Sequence, residues 1–217
     1  MEAPDLGEEE SQHCSADPVI TSIDLLRHGE VKGGFYFRGK TDDPLTSKGW
    51  QQMQQATADQ NWDIIISSPL SRCLDFAHWL SDQRKIPCNR VSGFSEIDFG
   101  DWEAKTAEQI ERLNPGLLSR FYDDPEKFAP GNGESFSVFS KRVAYAWQQT
   151  INENKGKNLL VITHAGVIRM IFSRILGIST KNSFHIQVDH ACLSRFQHFW
   201  TNDYDYCQFL MHISGRW

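Results

Sequence analysis

Three short apolar runs place the strongest limit on how this chain of 217 residues folds, because each stops abruptly near polar side chains. Residues 19–26 end at Arg27-His28-Gly29, and residues 158–163 end at His164-Ala165-Gly166. Residues 63–66 form the third run, and Arg72 follows it closely. Their length, apolar content and β-branched residues predict buried strands that run into functional turns.

Helical patterns separate these predicted strands. Apolar residues recur at helical spacing in residues 47–60, where Thr46 or Ser47 is the expected cap, in 135–150, and in 167–176, which Gly177 ends. The Phe and Trp stripe of 135–150 is interpreted as core. Strands alternating with helices predict an α/β fold: a three-layer sandwich with a mostly parallel central sheet flanked by helices. Functional groups in such sheets gather beyond the carboxyl ends of the strands.

The other predicted elements complete one domain. Ser67-Ser68-Pro69 is a helix-start signal, in which a hydroxyl cap precedes Pro in the first turn. The rest are a strand at 86–91, a loop at 92–105, a helix at 106–122 broken near 114–116, and two or three strands from His185 onward.

The charge of the chain is concentrated at its N-terminus. Six of the 28 acidic residues lie in residues 1–18, which contain no Lys or Arg, so the remaining chain balances at 22 acidic and 22 basic residues. Residues 1–18 are therefore predicted to be a disordered acidic tail, and residues 19–217 a single domain. A neutral body argues against binding a nucleic-acid polymer, which requires a basic face.

The composition of the chain also bears on where in the cell the protein is expected to reside. No apolar run approaches the ~18–20 residues that span a bilayer, and no secretory signal is visible. The five cysteines contain no CxxC pair and no zinc spacing, which predicts reduced thiols in a cytoplasmic protein. They are Cys14, Cys73, Cys88, Cys192 and Cys207.

The strand ends predict a pocket for an oxyanion. A parallel sheet would bring Arg27, His28, Arg72 and His164 to one rim, where the guanidinium forks match phosphate geometry. Nearby positive charge keeps an imidazole neutral, and a neutral imidazole can attack phosphorus. Taken singly, however, either His is equally well read as a structural side chain.

Several positions remain open on this reasoning. Phosphoryl transfer needs an acid to protonate the leaving oxygen, and the 92–105 loop offers four candidates: Glu96, Asp98, Asp101 and Glu103. Arg38 is either a phosphate contact or a solvated loop residue. The remaining histidines are interpreted as surface or packing residues: His13, His78, His185, His190, His198 and His212.

Six blocks in order resemble the histidine phosphatase superfamily, the group that includes cofactor-dependent phosphoglycerate mutases. They are Leu26-Arg27-His28-Gly29-Glu30, Asp43-Pro44-Leu45-Thr46 with Gly49, Ser67-Ser68-Pro69-Leu70-Ser71-Arg72, the loop from Glu96 to Glu103, Gly133-Glu134-Ser135, and Val161-Ile162-Thr163-His164-Ala165-Gly166. The resemblance implies a phosphoglycerate mutase-like fold and a histidine phosphatase catalytic domain over residues 19–217.

The resemblance also implies roles for these residues. His28 would be the phosphorylated nucleophile, Glu96 the proton donor and then the base, and Arg27, Arg72 and His164 the groups that hold the phosphoryl oxygens. No metal and no cofactor are implied. The expected partner is a small phosphorylated metabolite, with a homodimer as a further hypothesis.

Within the superfamily, the run 39–46 and the loop 96–102 are most similar to α-ribazole phosphatases, which remove the 5′-phosphate of α-ribazole phosphate in cobalamin biosynthesis. Glu96 follows Arg72 by 24 positions, which leaves little chain there for a lid, so water rather than a substrate hydroxyl is expected to accept the phosphoryl group. The alternatives are a phosphoglycerate mutase or sugar-phosphate phosphatase, and a non-catalytic phosphate-binding module.

Two positions depart from the family pattern. Many relatives carry an Asn shortly after the Arg-His-Gly triplet, whereas residues 31–35 here read Val-Lys-Gly-Gly-Phe, and Arg38 is the candidate replacement. Ala104 stands where a Gly often follows the loop's last Glu. Both departures bear on the substrate rather than on the chemistry.

Overall fold

A computed structural model describes residues 17–201 and 204–213. It contains a six-stranded sheet in the order β3-β2-β4-β1-β5-β6. The strands are β1 (Val19–Arg27), β2 (Ile64–Ser67), β3 (Cys88–Arg90), β4 (Asn158–Thr163), β5 (Leu193–Trp200) and β6 (Asp205–Ile213). The helices are α1 (Ser47–Thr57), α2 (Ser71–Arg84), α3 (Ala107–Leu113), α4 (Leu117–Asp123), α5 (Phe136–Glu153), α6 (Ala165–Leu176) and α7 (Thr180–Ser183).

The central strands are buried on both faces, because alternate side chains meet different helices. Ile64 and Ile66 pack with the residues of α5 and α6 on one face, and Ile65 packs with those of α1 and α2 on the other. Strand β4 alternates in the same way. The predicted three-layer α/β sandwich is therefore confirmed.

The sheet is mostly parallel, with an antiparallel margin. Strands β1, β2, β3 and β4 pair in parallel, whereas β5 runs antiparallel to β1 and carries β6 outside it. The register sets Arg27 opposite Thr163 and Ser67 opposite Ile162, so β1, β2 and β4 end together. Because β5 is antiparallel, its first residue, Leu193, lies at this same edge opposite Leu26.

Some local predictions need correction. The hydroxyls of Ser67 and Ser68 do not cap α2, which begins at Ser71 after Leu70. Instead the Asp42 carboxylate accepts the Ser71 backbone N–H at 2.8 Å, because the loop from β1 folds over this helix start. Helix α6 begins directly after His164, two residues earlier than predicted, and α7 was not predicted at all.

The predicted acidic tail lies outside the described residues except for positions 17 and 18, and so do His13 and Cys14. Within the part of the chain that is described, no helix has the length and apolar character needed to cross a membrane.

Candidate active site

His28 lies at the carboxyl end of β1 and is only 5% exposed. Its backbone is fixed from both sides: its N–H donates to Thr163 O at 3.0 Å, and its carbonyl accepts from Ala191 N at 3.2 Å. Its ring Nδ1 lies 2.8 Å from Gly29 O. A carbonyl can only accept, so Nδ1 carries the proton and Nε2 of the neutral ring carries the lone pair.

The electrostatic setting keeps this imidazole neutral. Burial lowers the pKa of His28 well below its usual value, and the adjacent charges of Arg27 and Arg72 lower it further. Burial is the larger cause, because the cationic ring would lose its hydration. The lone pair on Nε2 is therefore available at neutral pH.

Gly29 and Gly49 allow the start of helix α1 to pack directly against the turn that follows His28. A Cβ on Gly29 would lie 2.2 Å from Gly49 O, and a Cβ on Gly49 would lie 2.0 Å from Glu30 O. No side chain larger than a hydrogen fits at either position. Helix α1 begins there with its Thr46 hydroxyl accepting from Gly49 N at 2.9 Å, as its predicted cap. The two glycines thus set the distance between the helix start and the His28 turn.

Arg72 and His164 lie together beneath His28, and both are fully buried. Arg72 Nε donates to His164 Nδ1 at 3.3 Å, so that nitrogen is the acceptor. The other ring nitrogen, Nε2, therefore carries the proton and donates to Ser68 Oγ at 2.7 Å. The His164 ring centroid is 5.3 Å from that of His28. Ser68, predicted as a helix cap, is instead the partner of this second imidazole.

Arg72 also holds the loop that covers it. Its Nη1 donates to Thr41 O at 2.7 Å and its Nη2 to Gly39 O at 2.8 Å. Burial lowers the pKa of Arg72, and burial together with the Arg72 charge lowers the pKa of His164 well below its usual value. Neither side chain lines the cavity described below, so both support His28 from behind it.

Arg27 does line the cavity. Its Nη1 donates to Val188 O at 2.7 Å, while its buried Nε has no hydrogen-bond partner within residues 17–201 and 204–213. Burial is the main reason that its pKa falls to about 10. A buried guanidinium nitrogen without a partner, beside a cavity, is a position that an anion can satisfy.

The structure separates the four candidate acids, because only Glu96 among them lines the cavity. Glu96 Oε2 accepts from Gly166 N at 3.0 Å and Oε1 from Ile97 N at 3.1 Å. Asp98 instead pairs with Lys40, and Asp101 accepts from Asn132. The geometry therefore favours Glu96 as the carboxyl group within reach of a substrate.

Glu103 has a different task from Glu96. Its carboxylate accepts the backbone N–H groups of Gly39, Lys40 and Thr41 at 2.9 to 3.1 Å. Arg72 holds the carbonyls of the same loop, so the loop is fixed through both its donors and its acceptors. The next residue, Ala104, has φ of +57°, which is the left-handed conformation that glycine adopts most readily and explains the glycine of the family pattern.

Arg38 is not a solvated loop residue, because its side chain is only 10% exposed. Its Nε donates to Asp43 at 2.7 Å and its Nη2 to Lys32 O at 2.9 Å. The guanidinium lies 4.0 Å above the Tyr36 ring and lines the cavity. Arg38 thus shapes the loop that replaces the Asn-bearing segment of many relatives.

Two cavity residues were missed by sequence reasoning. His190, interpreted from the sequence as a surface or packing residue, packs against His28 with the ring centroids 5.7 Å apart, and it also lines the cavity. Burial lowers its pKa to about 4. It arrives there because β5 is antiparallel, so the turn before β5 lies at the active edge. Arg169 lines the same cavity, with Nε donating to Ile186 O at 3.1 Å. His185 is exposed, as expected, at the cavity mouth.

The cavity itself has a volume of about 1120 Å³, far more than a phosphate group requires. Its polar end contains Arg27, His28 and Glu96, and much of the remaining wall is aromatic. Those rings are Phe35, Tyr36, Phe37, Phe99, Phe121, Tyr122, Phe136, Phe139 and Phe184. The predicted core role of the α5 stripe is confirmed by burial, and Phe136 and Phe139 also face the cavity.

The described part of the chain, residues 17–201 with 204–213, contains no cluster of three or more His, Cys, Asp or Glu side chains able to hold a metal ion.

Comparison with known proteins identifies relatives of this chain. The sequence model of the histidine phosphatase superfamily (branch 1) matches residues 23–203. The adenosylcobalamin/α-ribazole phosphatase of Escherichia coli K12 is 28% identical over 175 residues, covering 78% of this chain and 86% of that protein.

Solved structures give the same result. The α-ribazole phosphatase of Shigella flexneri superposes with a TM-score of 0.72 at 26% identity, covering 87% of this chain and 95% of that one. A mycobacterial glucosyl-3-phosphoglycerate phosphatase has a TM-score of 0.78 at 21% identity over 88% of this chain and 97% of that one. This second likeness concerns the fold alone.

Proposed function

The chain belongs to the histidine phosphatase superfamily and hydrolyses phosphate monoesters, and we propose that it does so without a metal, through a phosphohistidine on His28. One observation carries the proposal: Nδ1 of a buried, neutral His28 is engaged by Gly29 O, which leaves the lone pair on Nε2. A nucleophile needs that lone pair, and burial together with the nearby guanidiniums keeps it free of a proton.

The proposed reaction has two steps. His28 Nε2 attacks phosphorus as the bond from phosphorus to the alcohol oxygen breaks, and Glu96 gives its proton to that oxygen. A water molecule then loses a proton to Glu96 as its oxygen attacks phosphorus. The phosphorus–nitrogen bond breaks, the electron pair returns to Nε2, and inorganic phosphate leaves.

The phosphoryl charge is met by fixed donors. Arg27 offers its unpartnered Nε at the cavity wall. The resemblance predicts Arg72 as a second phosphoryl ligand; in this structure it lies behind His28 outside the cavity lining, so it contributes its positive charge and holds the 39–41 loop in place. His164, whose ring nitrogens are engaged by Arg72 and Ser68, holds Arg72 in this position. Donors held in place before the reaction stabilise the charge that develops on the equatorial oxygens.

The proposed substrate is α-ribazole 5′-phosphate, with a role in cobalamin biosynthesis. Two observations support it: relatives with that name at 26% to 28% identity, and the aromatic wall of a cavity much larger than phosphate. An aromatic wall suits a planar base on the leaving alcohol. Lys32 and Glu30 at the polar side of the cavity suit the ribose hydroxyls.

A panel of phosphate esters tests the substrate. We expect kcat/KM for α-ribazole 5′-phosphate to exceed that for 3-phosphoglycerate and for glucose 6-phosphate, with phosphate release and no isomerisation. Faster interconversion of 2- and 3-phosphoglycerate than phosphate release would establish a mutase instead. A higher kcat/KM for glucose 6-phosphate would identify a sugar-phosphate phosphatase.

Two further sequence-based expectations belong to the proposal. A cytoplasmic location is tested by cell fractionation, and a homodimer by light scattering of the purified full-length chain. A protein recovered outside the cytoplasm contradicts the first, and a monomeric mass at micromolar concentration contradicts the second.

A further inference from the structure

Arg142 lies on α5 behind the loop that carries Glu96. Its Nη1 donates to Gly93 O at 3.0 Å and to Ser95 O at 2.8 Å, and its Nη2 donates to Glu96 O at 3.0 Å. A guanidinium is planar and rigid, so its fork fixes three carbonyl groups of this loop relative to one another.

Glu134 holds the guanidinium in that orientation. Its carboxylate accepts from Arg142 Nε at 2.6 Å and from Nη2 at 2.8 Å. The Glu134 side chain is 14% exposed and the Arg142 side chain 25% exposed. The backbone N–H of Glu134 donates to Asp98 O at 2.9 Å. The pair therefore contacts the loop on both sides of its acidic residue.

The front of the same loop has little freedom to move. Glu96 Oε2 accepts from Gly166 N at 3.0 Å, and a Cβ on Gly166 would lie 2.3 Å from Oε1. The loop also packs closely against α5, because a Cβ on Gly93 would lie 2.5 Å from the Ala146 Cβ. A shift of the backbone by about 1 Å would move the carboxyl group away from the reacting oxygen, a displacement that can cost on the order of 100-fold in rate.

We propose that the Arg142–Glu134 pair is the positioning device for the Glu96 carboxyl group, and that it acts on protonation of the leaving alcohol. Arg142 touches neither the cavity nor the reacting atoms, so it works through the backbone of Glu96. The proposal rests on the role of Glu96 given above, but not on the identity of the substrate.

Leaving-group dependence separates this role from a purely structural one. A dinitrophenolate is a weak base and departs without a proton, whereas an alkoxide requires one. We would measure kcat/KM for 2,4-dinitrophenyl phosphate and for the alkyl ester that the wild type hydrolyses fastest. The parameter kcat/KM reports the steps up to alcohol release, so the later water step does not mask the effect.

The expected results form a ranked set. Glu96→Gln lowers kcat/KM for the alkyl ester by about 100-fold or more and changes it less than about 3-fold for the dinitrophenyl ester. Arg142→Met follows the same pattern with a loss of about 10- to 100-fold on the alkyl ester. Arg142→Lys keeps the positive charge but offers only one nitrogen to the three carbonyls, so we expect an intermediate loss of kcat/KM that is again confined to the alkyl ester. If Arg142→Met does not fold, Arg142→Lys provides the test in its place.

Arg195→Met is the matched control. Arg195 also forms a two-bond ion pair, with Asp24 at 2.7 Å for both bonds, yet it contacts no residue of the Glu96 loop. We expect it to lower the unfolding temperature and leave the ratio of the two kcat/KM values unchanged. An equal loss on both esters in Arg142→Met, with Glu96→Gln selective, overturns the positioning role alone. A non-selective Glu96→Gln overturns the proposed acid and the positioning role with it.

Discussion

The two ends of the cavity differ in the residues that line them: the polar end, called the phosphate end below, contains Arg27, His28 and Glu96, and the other end is largely aromatic. At the phosphate end, His28 and His164 follow directly after paired parallel strands, and Arg72 is fully buried beneath them. At the opposite end, the wall consists of aromatic rings from loops, from the short helix α4 and from the first turn of α5. Phe35 stands 93% exposed there, beside two glycines with positive φ. The sheet register places His28 and His164 at the first end, whereas loops and helix ends place the rings of the second.

This contrast separates chemistry from selectivity. Changes at the phosphate end should reduce turnover of every phosphate ester alike, because all esters present the same group there. Changes at the aromatic end should alter the ranking of esters and leave the chemical steps intact. Each substitution below is chosen to test that division, from the largest expected effect to the smallest.

His28→Ala removes the proposed nucleophile. We expect kcat/KM to fall by about 10⁴-fold or more on every ester, the scale of loss when a covalent catalyst loses its attacking group. Steady-state phosphate release measures it. His78→Ala, an exposed imidazole on α2, is the matched control and should retain wild-type activity. A variant at position 28 with wild-type turnover would remove the basis of the mechanism.

Arg72→Lys keeps the charge and loses the fork. The lysine cannot serve Gly39 O, Thr41 O and His164 together, so the fixed support and the placed positive charge behind His28 are lost. We expect kcat/KM to fall about 100- to 1000-fold, by the same factor for aromatic and small esters. Arg90→Lys, on exposed β3, serves as the control. A loss confined to one class of ester would contradict the division between the two ends.

Acid titration distinguishes the His28 imidazole from an ordinary one. At pH 5.5 a free imidazole is about nine-tenths protonated, whereas the lowered pKa of His28 keeps its ring neutral. The Cε1–H resonance of His28, assigned by comparison with His28→Ala, should therefore not shift between pH 7.5 and 5.5. A midpoint near 6.5 would show that the phosphate end does not suppress protonation.

The same lowered pKa affects stability with a definite sign. The unfolded chain takes up protons near pH 6.5 that folded His28 and His164 do not accept. The unfolded state thus binds more protons, so the free energy of unfolding should fall as the pH drops below about 6.5. Urea unfolding at pH 7.5 and 5.5 measures the difference, and equal or greater stability at pH 5.5 would contradict it.

Phe35→Ala tests the aromatic end. We expect KM for an ester with an aromatic alcohol to rise about 2- to 10-fold, as loss of one ring contact allows, while kcat stays near the wild-type value. Glycerol 3-phosphate, which has no ring, should be unaffected. Tyr145→Ala is the control, because Tyr145 is also an exposed aromatic side chain but lies on α5, away from the cavity lining. A fall in kcat on both esters would place Phe35 in the chemistry instead.

What could be predicted from the sequence follows the same division. Each of the runs ending at Arg27, at Ser67 and at Thr163 can be recognised locally, and parallel pairing then brings their ends together. The six sequence blocks that resemble the superfamily also identify the residues at this edge of the sheet, because each block is a short, contiguous stretch of sequence.

The remaining features required distant contacts. His190 reaches His28 only because β5 is antiparallel, and no local signal marks strand direction. Ser68 looks like a helix cap until the fold places His164 within 2.7 Å of its hydroxyl. Phe136 and Phe139 have the spacing of core residues and are core residues, yet one side of each faces the cavity. Periodicity reports burial, and it does not report what lies beyond the buried face.

Trapping the covalent intermediate tests the central claim most directly. The full-length protein would be mixed with ³²P-labelled substrate and quenched within milliseconds in alkaline detergent, because a phosphorus–nitrogen bond survives alkali and is lost in acid. The account predicts up to one labelled phosphate per chain, located on the peptide containing His28 and absent from His28→Ala. A wild-type protein that turns over substrate without acquiring label, or label that persists in His28→Ala, would contradict it.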